Sequence, residues 1–450
     1  MGLKTMRPPT PFGYIHRMSR LHKLIQRGID LRPGETPALI LSFSYFFCLL
    51  CAYYILRPLR DEMGILGGIK NLPWVFTGTF IAILALVPLY GWVSSRFPRR
   101  KFLPIIYAFF IANLIVYYIL FQLDIDEPHI AQSFFIWVSV FNLFVVSVFW
   151  SFMDDIYDEN QAKRLFGVIA AGGTTGAIAG PALTSSLAQP LGTHSLLLIS
   201  AGLLGLSIVF ITLLGHWFER QPQARADTAY RRPIGGHWWA GVSLVGRSPY
   251  LMGICVLILM YATLSTFLYF QQASIIKASF SDSAERTSVF AMIDLAVNGL
   301  TLLIQVLFTS RIVRRLGLSW TLATIPLLLA GGFLILSLAP VLAVLVTLQI
   351  LRRAGNYAIM RPGREMLYVV LGREEKYKAK NFIDTVVYRG GDTASAWVYD
   401  GMRALGLSMA QIALIAAPLA VIWALVAYKL GVRREEIAAR RDMEQGDEST

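Results

Sequence analysis

Charged residues stand where an apolar chain should carry none. Arg352 and Arg353 interrupt one hydrophobic run, and Asp384, Tyr388, Arg389 and Asp392 lie within the next. If both runs sit in a bilayer, each charge costs at least roughly 2.5–3.5 kcal/mol at the helix centre, a cost that marks a pathway or a binding site. Descending from Val341 at 1.5 Å per residue, Arg352 lies about 16 Å deep, and rising from Asn381, Arg389 lies about 12 Å from the other side. In a hydrocarbon core of about 30 Å these levels nearly coincide. Four-residue spacing predicts that Asp384, Tyr388 and Asp392 share one face, and Arg389 can reach Asp392 three residues on. The alternative is a structural ion pair. The three arginines outnumber the two acids, which leaves positive charge suited to an anion.

Two further clusters flank this region. Tyr53-Tyr54-Ile-Leu-Arg57-Pro58-Leu-Arg60-Asp61-Glu62 closes the first apolar run. Three-residue spacing would put both guanidiniums on one helical face. The alternative is an interfacial cluster of snorkelling arginines, with Pro58 leaving helix continuity open. Asp154, Asp155, Asp158 and Glu159 follow the fourth run, just before Lys163 and Arg164. They predict either a gating network of salt bridges or a solvated loop. Gly172, Gly176 and Gly180 fall four apart, a spacing that lets helices approach closely. A phosphate-cradling loop would need a preceding strand and a terminal Gly-Lys-Ser/Thr, and this stretch has neither.

The elements that must position these groups follow from composition. The chain has 450 residues, 55% hydrophobic and only 15% charged, with a net charge of +13. Soluble domains carry about 25% charged residues. The basic residues occupy short loops between apolar runs of about 20 residues, so they define topology, and no nucleic-acid partner is expected. Cys48, Cys51 and Cys255 all lie in apolar segments, as small buried hydrophobes and not as a redox pair. Residues 1–36 lack the apolar stretch of a cleavable signal peptide.

Twelve spans are predicted, near 37–56, 72–94, 102–121, 130–152, 165–188, 195–215, 250–271, 288–310, 320–338, 341–360, 381–400 and 408–429. Placing both termini in the cytoplasm puts 31 of the 41 Lys and Arg inside and 6 outside, with Arg352, Arg353, Arg389 and Lys429 within spans. That asymmetry sets the orientation. A polar, basic linker at 216–249 separates the halves 37–215 and 250–429, with an N-terminal segment 1–36 and a tail 430–450. Arg96-x-x-Arg99-Arg100 recurs as Arg311-x-x-Arg314-Arg315. Ala162-Lys163-Arg164 recurs as Ala379-Lys380-Asn381. Two echoes at nearly one offset suggest a duplicated six-helix unit. The expected fold is an all-α polytopic membrane protein of major-facilitator type. The arginine-rich loops would either latch one access state or simply orient the chain.

Several runs also resemble those of the ATP/ADP translocases of plastids and intracellular bacteria, a nucleotide-transporter family within the major facilitator superfamily. These are Ile55-Leu-Arg-Pro-Leu-Arg-Asp61, Phe149-Trp-Ser-Phe152 leading to Ala162-Lys-Arg164, and Arg364-Glu-Met366 through Lys378-Ala-Lys380 to Ile383-Asp384. They stand in the family's order over about residues 40–400. The resemblance implies nucleotide exchange driven by gradients. It also implies substrate handling by Arg60 and Arg364, which stand where the family has Lys. Charge is kept while a point charge becomes a planar fork. A Glu of the family's fourth or fifth helix has no clear counterpart, Asn142 being the nearest polar residue of span 4.

The expectation is therefore a secondary transporter for an anionic solute, nucleotide-like or a related phosphorylated metabolite, working by alternating access. Arg57, Arg60, Arg352, Arg353, Arg364 and Arg389 would form the electropositive path, with Tyr53, Tyr54 or Tyr388 stacking on a base. Asp61, Asp154, Asp155, Lys163, Arg164, Lys380, Asp384 and Asp392 would gate or couple it. A proton-coupled facilitator for another solute and a non-transporting scaffold or sensor stay open as alternatives. With six histidines and no metal-ligand spacing, nucleophile constellation or P-loop, no enzymatic activity, metal or cofactor is expected. The chain is expected to be monomeric, in a bacterial inner membrane, with lipid and a small anion as its partners.

Overall fold

The computed structural model describes residues 31–32, 34–96, 99–123, 126–219 and 240–447, all helix and connecting turns with no strand among them. Residues 1–30, most of the expected linker and the loop at 97–98 lie outside the described residues. Six helices form the first half: α1 (Thr36–Leu66), α2 (Leu72–Arg96), α3 (Arg99–Gln122), α4 (Glu127–Ile156), α5 (Glu159–Leu191) and α6 (Leu196–Glu219). After a short helix at Ala240–Arg247, the second half contributes α7 (Pro249–Ser279), α8 (Ser283–Leu307) and α9 (Thr309–Leu338). Next come α10 (Leu342–Gly355, continuing to Leu367), α11 (Arg373–Phe382, continuing to Ala404) and α12 (Met409–Asp447). Ten of these helices are long and apolar enough to cross a membrane. Helices α10 and α11 complete the expected twelve.

The local chemistry explains the boundaries. Asp158 caps α5 in a capping box, accepting from the Gln161 amide while the Gln161 side chain accepts from its own, which satisfies two orphan donors at once. Gly317 sits at φ 72°, where a side chain would be strained, and kinks α9 just after the exposed Arg311, Arg314 and Arg315. Helix α1 does not stop near residue 56. It runs on through Pro58 to Leu66, so Arg57 and Arg60 lie well inside the helix and not at its interfacial end.

Helices α10 and α11 each contain one π-turn, Asn356–Met360 and Ile383–Val387. A π-turn adds about one residue to a turn, and each residue rotates the helix by about 100°. The four-residue pattern expected for Asp384, Tyr388 and Asp392 is therefore broken at Ile383–Val387.

Each half has its own apolar core, one built on Tyr45, Phe134, Phe141 and Phe149 and the other on Phe270, Phe333 and Trp423. Helix α1 packs on α4, α5 and α6, α2 on α4, and α3 on α6. In the second half α7 packs on α10, α11 and α12, α8 on α10, and α9 on α12. The glycine stripe of α5 is what lets α1 approach. A Cβ on Gly172 would come 2.5 Å from the Phe43 carbonyl oxygen, one on Gly180 would come 2.7 Å from that of Cys51, and one on Gly176 would run into that of Phe47. The halves meet through α1 and α5 against α8, and through α2 against α11.

Candidate functional site

A cavity of about 760 Å³ lies between the two halves. Its lining runs from Arg60 to Arg361 and Glu365, near the face that carries both ends of the helical bundle. The opposite face is closed by bonds between the halves. Arg286 grips Glu62 with Nε at 2.9 Å and Nη2 at 2.6 Å, and both side chains are buried. Trp397 donates to Thr77 Oγ1 at 3.1 Å and packs edge-on against Trp74. Within the cavity wall, nearer the middle of the helices, Asn298 donates to the Ala177 carbonyl of the other half at 2.6 Å.

Five guanidiniums stand at or near mid-helix around the cavity, all in its lining: Arg57, Arg60, Arg352, Arg353 and Arg389. Three carboxylates answer them. Asp294 of α8 lies 3.6 Å from Arg57 Nε and 2.6 Å from Arg353 Nη2, so one acid is shared by arginines of both halves. Neither contact is a directed hydrogen bond, since Arg57 Nε, Arg353 Nη2 and Asp294 Oδ2 lack a hydrogen-bond partner despite their burial. Asp61 pairs with Arg60 at 2.7 Å and accepts from Tyr269 at 3.2 Å. Asp392 lies 3.5 Å from Arg389. Arg352 has no carboxylate within ion-pairing distance among the described residues and donates instead to Ser265 and Gln349.

Aromatic rings complete the walls. Tyr53 and Tyr54 line the first half, with Arg57 5.7 Å over the Tyr54 ring. Tyr388 lines the second, stacked on Tyr261 at 5.9 Å with Arg389 5.3 Å above it.

The structure thus brings Arg57, Arg60, Arg352, Arg353, Arg389, Tyr53, Tyr54, Tyr388 and Asp392 to one cavity. Asp61 stands behind Arg60. Arg364 and Asp384 do not reach the cavity wall: they pair with each other at 3.3 Å, because the π-turn at Ile383–Val387 turns Asp384 away from the face of Asp392. Lys380 pairs with Glu365 at 2.5 Å, and Lys163 with Glu159 at 2.7 Å in solvent. Asp154 is exposed and Asp155 half-buried at the same face.

Arg164 holds Glu35 at 2.8 Å. Burial pushes the Glu35 carboxyl up, but bonds from Arg164, the Arg32 amide and Gln161 outweigh it and leave the carboxyl below its ordinary value. Sequence reasoning missed Asp294, the Glu62–Arg286 bridge, Tyr261 and Gln349. Asp294 did carry a signal: a single acid in an apolar run is a functional candidate by its cost alone.

Two sets of six helices around a polar central cavity are the architecture of a membrane transporter. The chain belongs to the major facilitator superfamily, whose profile matches residues 36–362. A second profile, the TLC ATP/ADP transporter, matches residues 329–433. ADP,ATP carrier protein 1 of Chlamydia muridarum is 21% identical, over 82% of this chain and 82% of that protein. ADP,ATP carrier protein 2 of Chlamydia pneumoniae is 21% identical over 87% of each. Among solved structures, the nucleoside transporter NupG superposes with a TM-score of 0.63 at 15% identity, covering 89% of this chain and 99% of that one. A bacterial homologue of the iron transporter ferroportin, inward-facing, superposes with a TM-score of 0.61 at 14% identity, over 89% and 98%.

Proposed function

We propose that the chain is a secondary transporter of an anionic solute, nucleotide-like or a related phosphorylated metabolite, working by alternating access in a bacterial inner membrane. The observation that carries this is the charge imbalance of the cavity, five deep guanidiniums against three carboxylates. Unpaired charge at that depth is costly without an anion to relieve it, and guanidiniums grip phosphate with parallel N–H donors. The tyrosines on the two walls offer faces on which a base can stack. The similarity to ADP,ATP carriers over most of the chain supports a nucleotide as cargo.

Alternating access would come from rocking of the halves 37–215 and 250–429 about this site. That they are copies of one six-helix unit is supported by the same helix pairs packing in each. Cytoplasmic termini are supported by the excess of Lys and Arg on that side, and the open side of the cavity would then face the cytoplasm. Uptake of labelled ATP, ADP, AMP and inorganic phosphate into proteoliposomes tests the proposal. Saturable uptake of at least one anion, accelerated by anion inside the vesicles, is expected. Uptake of none of them would defeat it.

A further inference from the structure

Arg352 differs from the four arginines around it in what holds it. Its Nε and Nη2 donate to Gln349 Oε1 at 3.2 and 2.8 Å, and its Nη1 donates to Ser265 Oγ at 2.6 Å. Gln349 in turn donates to Gln272 Oε1. Gln272, Gln349 and Arg352 are all more than nine-tenths buried. Tyr261, Tyr357 and Tyr388 stand near the guanidinium, as do Arg353, of like sign, and Asp392, which lies beyond ion-pairing distance. Every hydrogen-bond partner of Arg352 is neutral. A guanidinium has five N–H donors, and three are used here, so one N–H remains on each terminal nitrogen of a group that lines the cavity. Such a pair of donors is what a phosphoryl or carboxylate group grips.

We infer that Arg352 is the first anchor for the anionic group of the substrate, and that Gln349, Gln272 and Ser265 are positioning residues that aim it without neutralising it. Arg57, Arg60, Arg353 and Arg389 are paired with acids, so an anion arriving there competes with a carboxylate. At Arg352 it displaces nothing charged. Two amides and one hydroxyl hold the guanidinium in place while leaving its full charge for the ligand. This deepens the anion-transport proposal and rests on it.

The test exploits an opposition between charge and structure. Gln349→Glu and Ser265→Asp each keep an acceptor for Arg352 and add a negative charge beside it. Ser265→Ala removes an acceptor and adds none. If the network merely supports the fold, the alanine variant should be the damaging one. If it preserves charge, the two acidic variants should raise KM for labelled ADP about 10- to 100-fold, the loss of one charge-assisted contact. Turnover should stay within about threefold, and Ser265→Ala, which removes one aiming acceptor but adds no charge, should raise KM less than either acidic variant does.

All variants would be assayed in proteoliposomes beside wild type, with yield and elution in detergent as the folding control. A KM for ADP within twofold of wild type in both acidic variants overturns this inference and leaves the transport proposal standing. Wild-type vesicles that take up neither labelled ADP nor phosphate defeat both. Since the acids sit on different helices, either variant alone is informative. If neither folds, the inference is overturned, because the added charge would be disrupting structure and not occupying a site.

Discussion

Replacing Glu62 by Gln is expected to loosen the closed face of the transporter. Arg286 gives Glu62 three hydrogen bonds and gives its remaining nitrogen to the Phe280 and Ser281 carbonyls. When the carboxylate is lost, the guanidinium is therefore held in place with only the exposed Asp282 as a nearby counter-charge. Glu62 is fully buried and Arg286 nearly so, which puts the pair in the class where removing one partner costs about 3–5 kcal/mol. Gln keeps an acceptor, so the lower end applies. About 3 kcal/mol corresponds to a shift of roughly 100-fold between the state closed at this face and any state in which water reaches Arg286.

Spin labels at the exposed Lys70 and Lys277, one on each half beside the bridge, would read the shift as a distance distribution. A new longer-distance population is expected in Glu62→Gln. The double change Glu62→Leu with Arg286→Met should move back toward wild type, because removing a buried pair together is often neutral. An unchanged distribution in Glu62→Gln would refute the assignment of this bridge as the lock.

Arg389→Lys should keep membrane yield but weaken nucleotide uptake about 10- to 100-fold as a bidentate grip becomes a point charge. Full uptake in Arg389→Met with Asp392→Leu would show instead that the pair is structural. Gly176→Ala puts a methyl against the Phe47 carbonyl and should lower stability by about 1–3 kcal/mol, read as a melting shift in detergent. Gly167→Ala, with nothing near its added carbon, should not. The Glu35 carboxyl is depressed in the folded state, so its contribution is fully present above its ordinary value of 4.5. That contribution is lost as pH falls through the lower folded value. Melting measured between about pH 3 and 6 should show this loss in wild type, and Glu35→Gln should flatten it.

The sequence by itself determined the helices and their number. Apolar runs of about 20 residues can satisfy their backbone in a bilayer only as helices, and the distribution of Lys and Arg gives the orientation proposed for them. That α5 would approach a neighbouring helix closely was also legible, because Gly172, Gly176 and Gly180 recur at the helical period and that period is a local property; that the neighbour is α1 was not. Most of the cavity arginines could be named from depth alone, since a charge in the middle of a span is conspicuous whatever it touches.

What they touch was decided only in three dimensions. Asp294 meets Arg57 and Arg353, and Glu62 meets Arg286, across separations in sequence that no periodicity spans. Within a single helix, the π-turn at Ile383–Val387 was invisible to a reading that assumes 3.6 residues per turn. That turn sends Asp384 to Arg364 and leaves Asp392 at the cavity. Whether an arginine is neutralised by an acid or held by amides depends on which helix faces it. Facing is set by packing between the helices, through close approaches such as that of Phe43 and Gly172, and not by the charged residue or its neighbours in the chain.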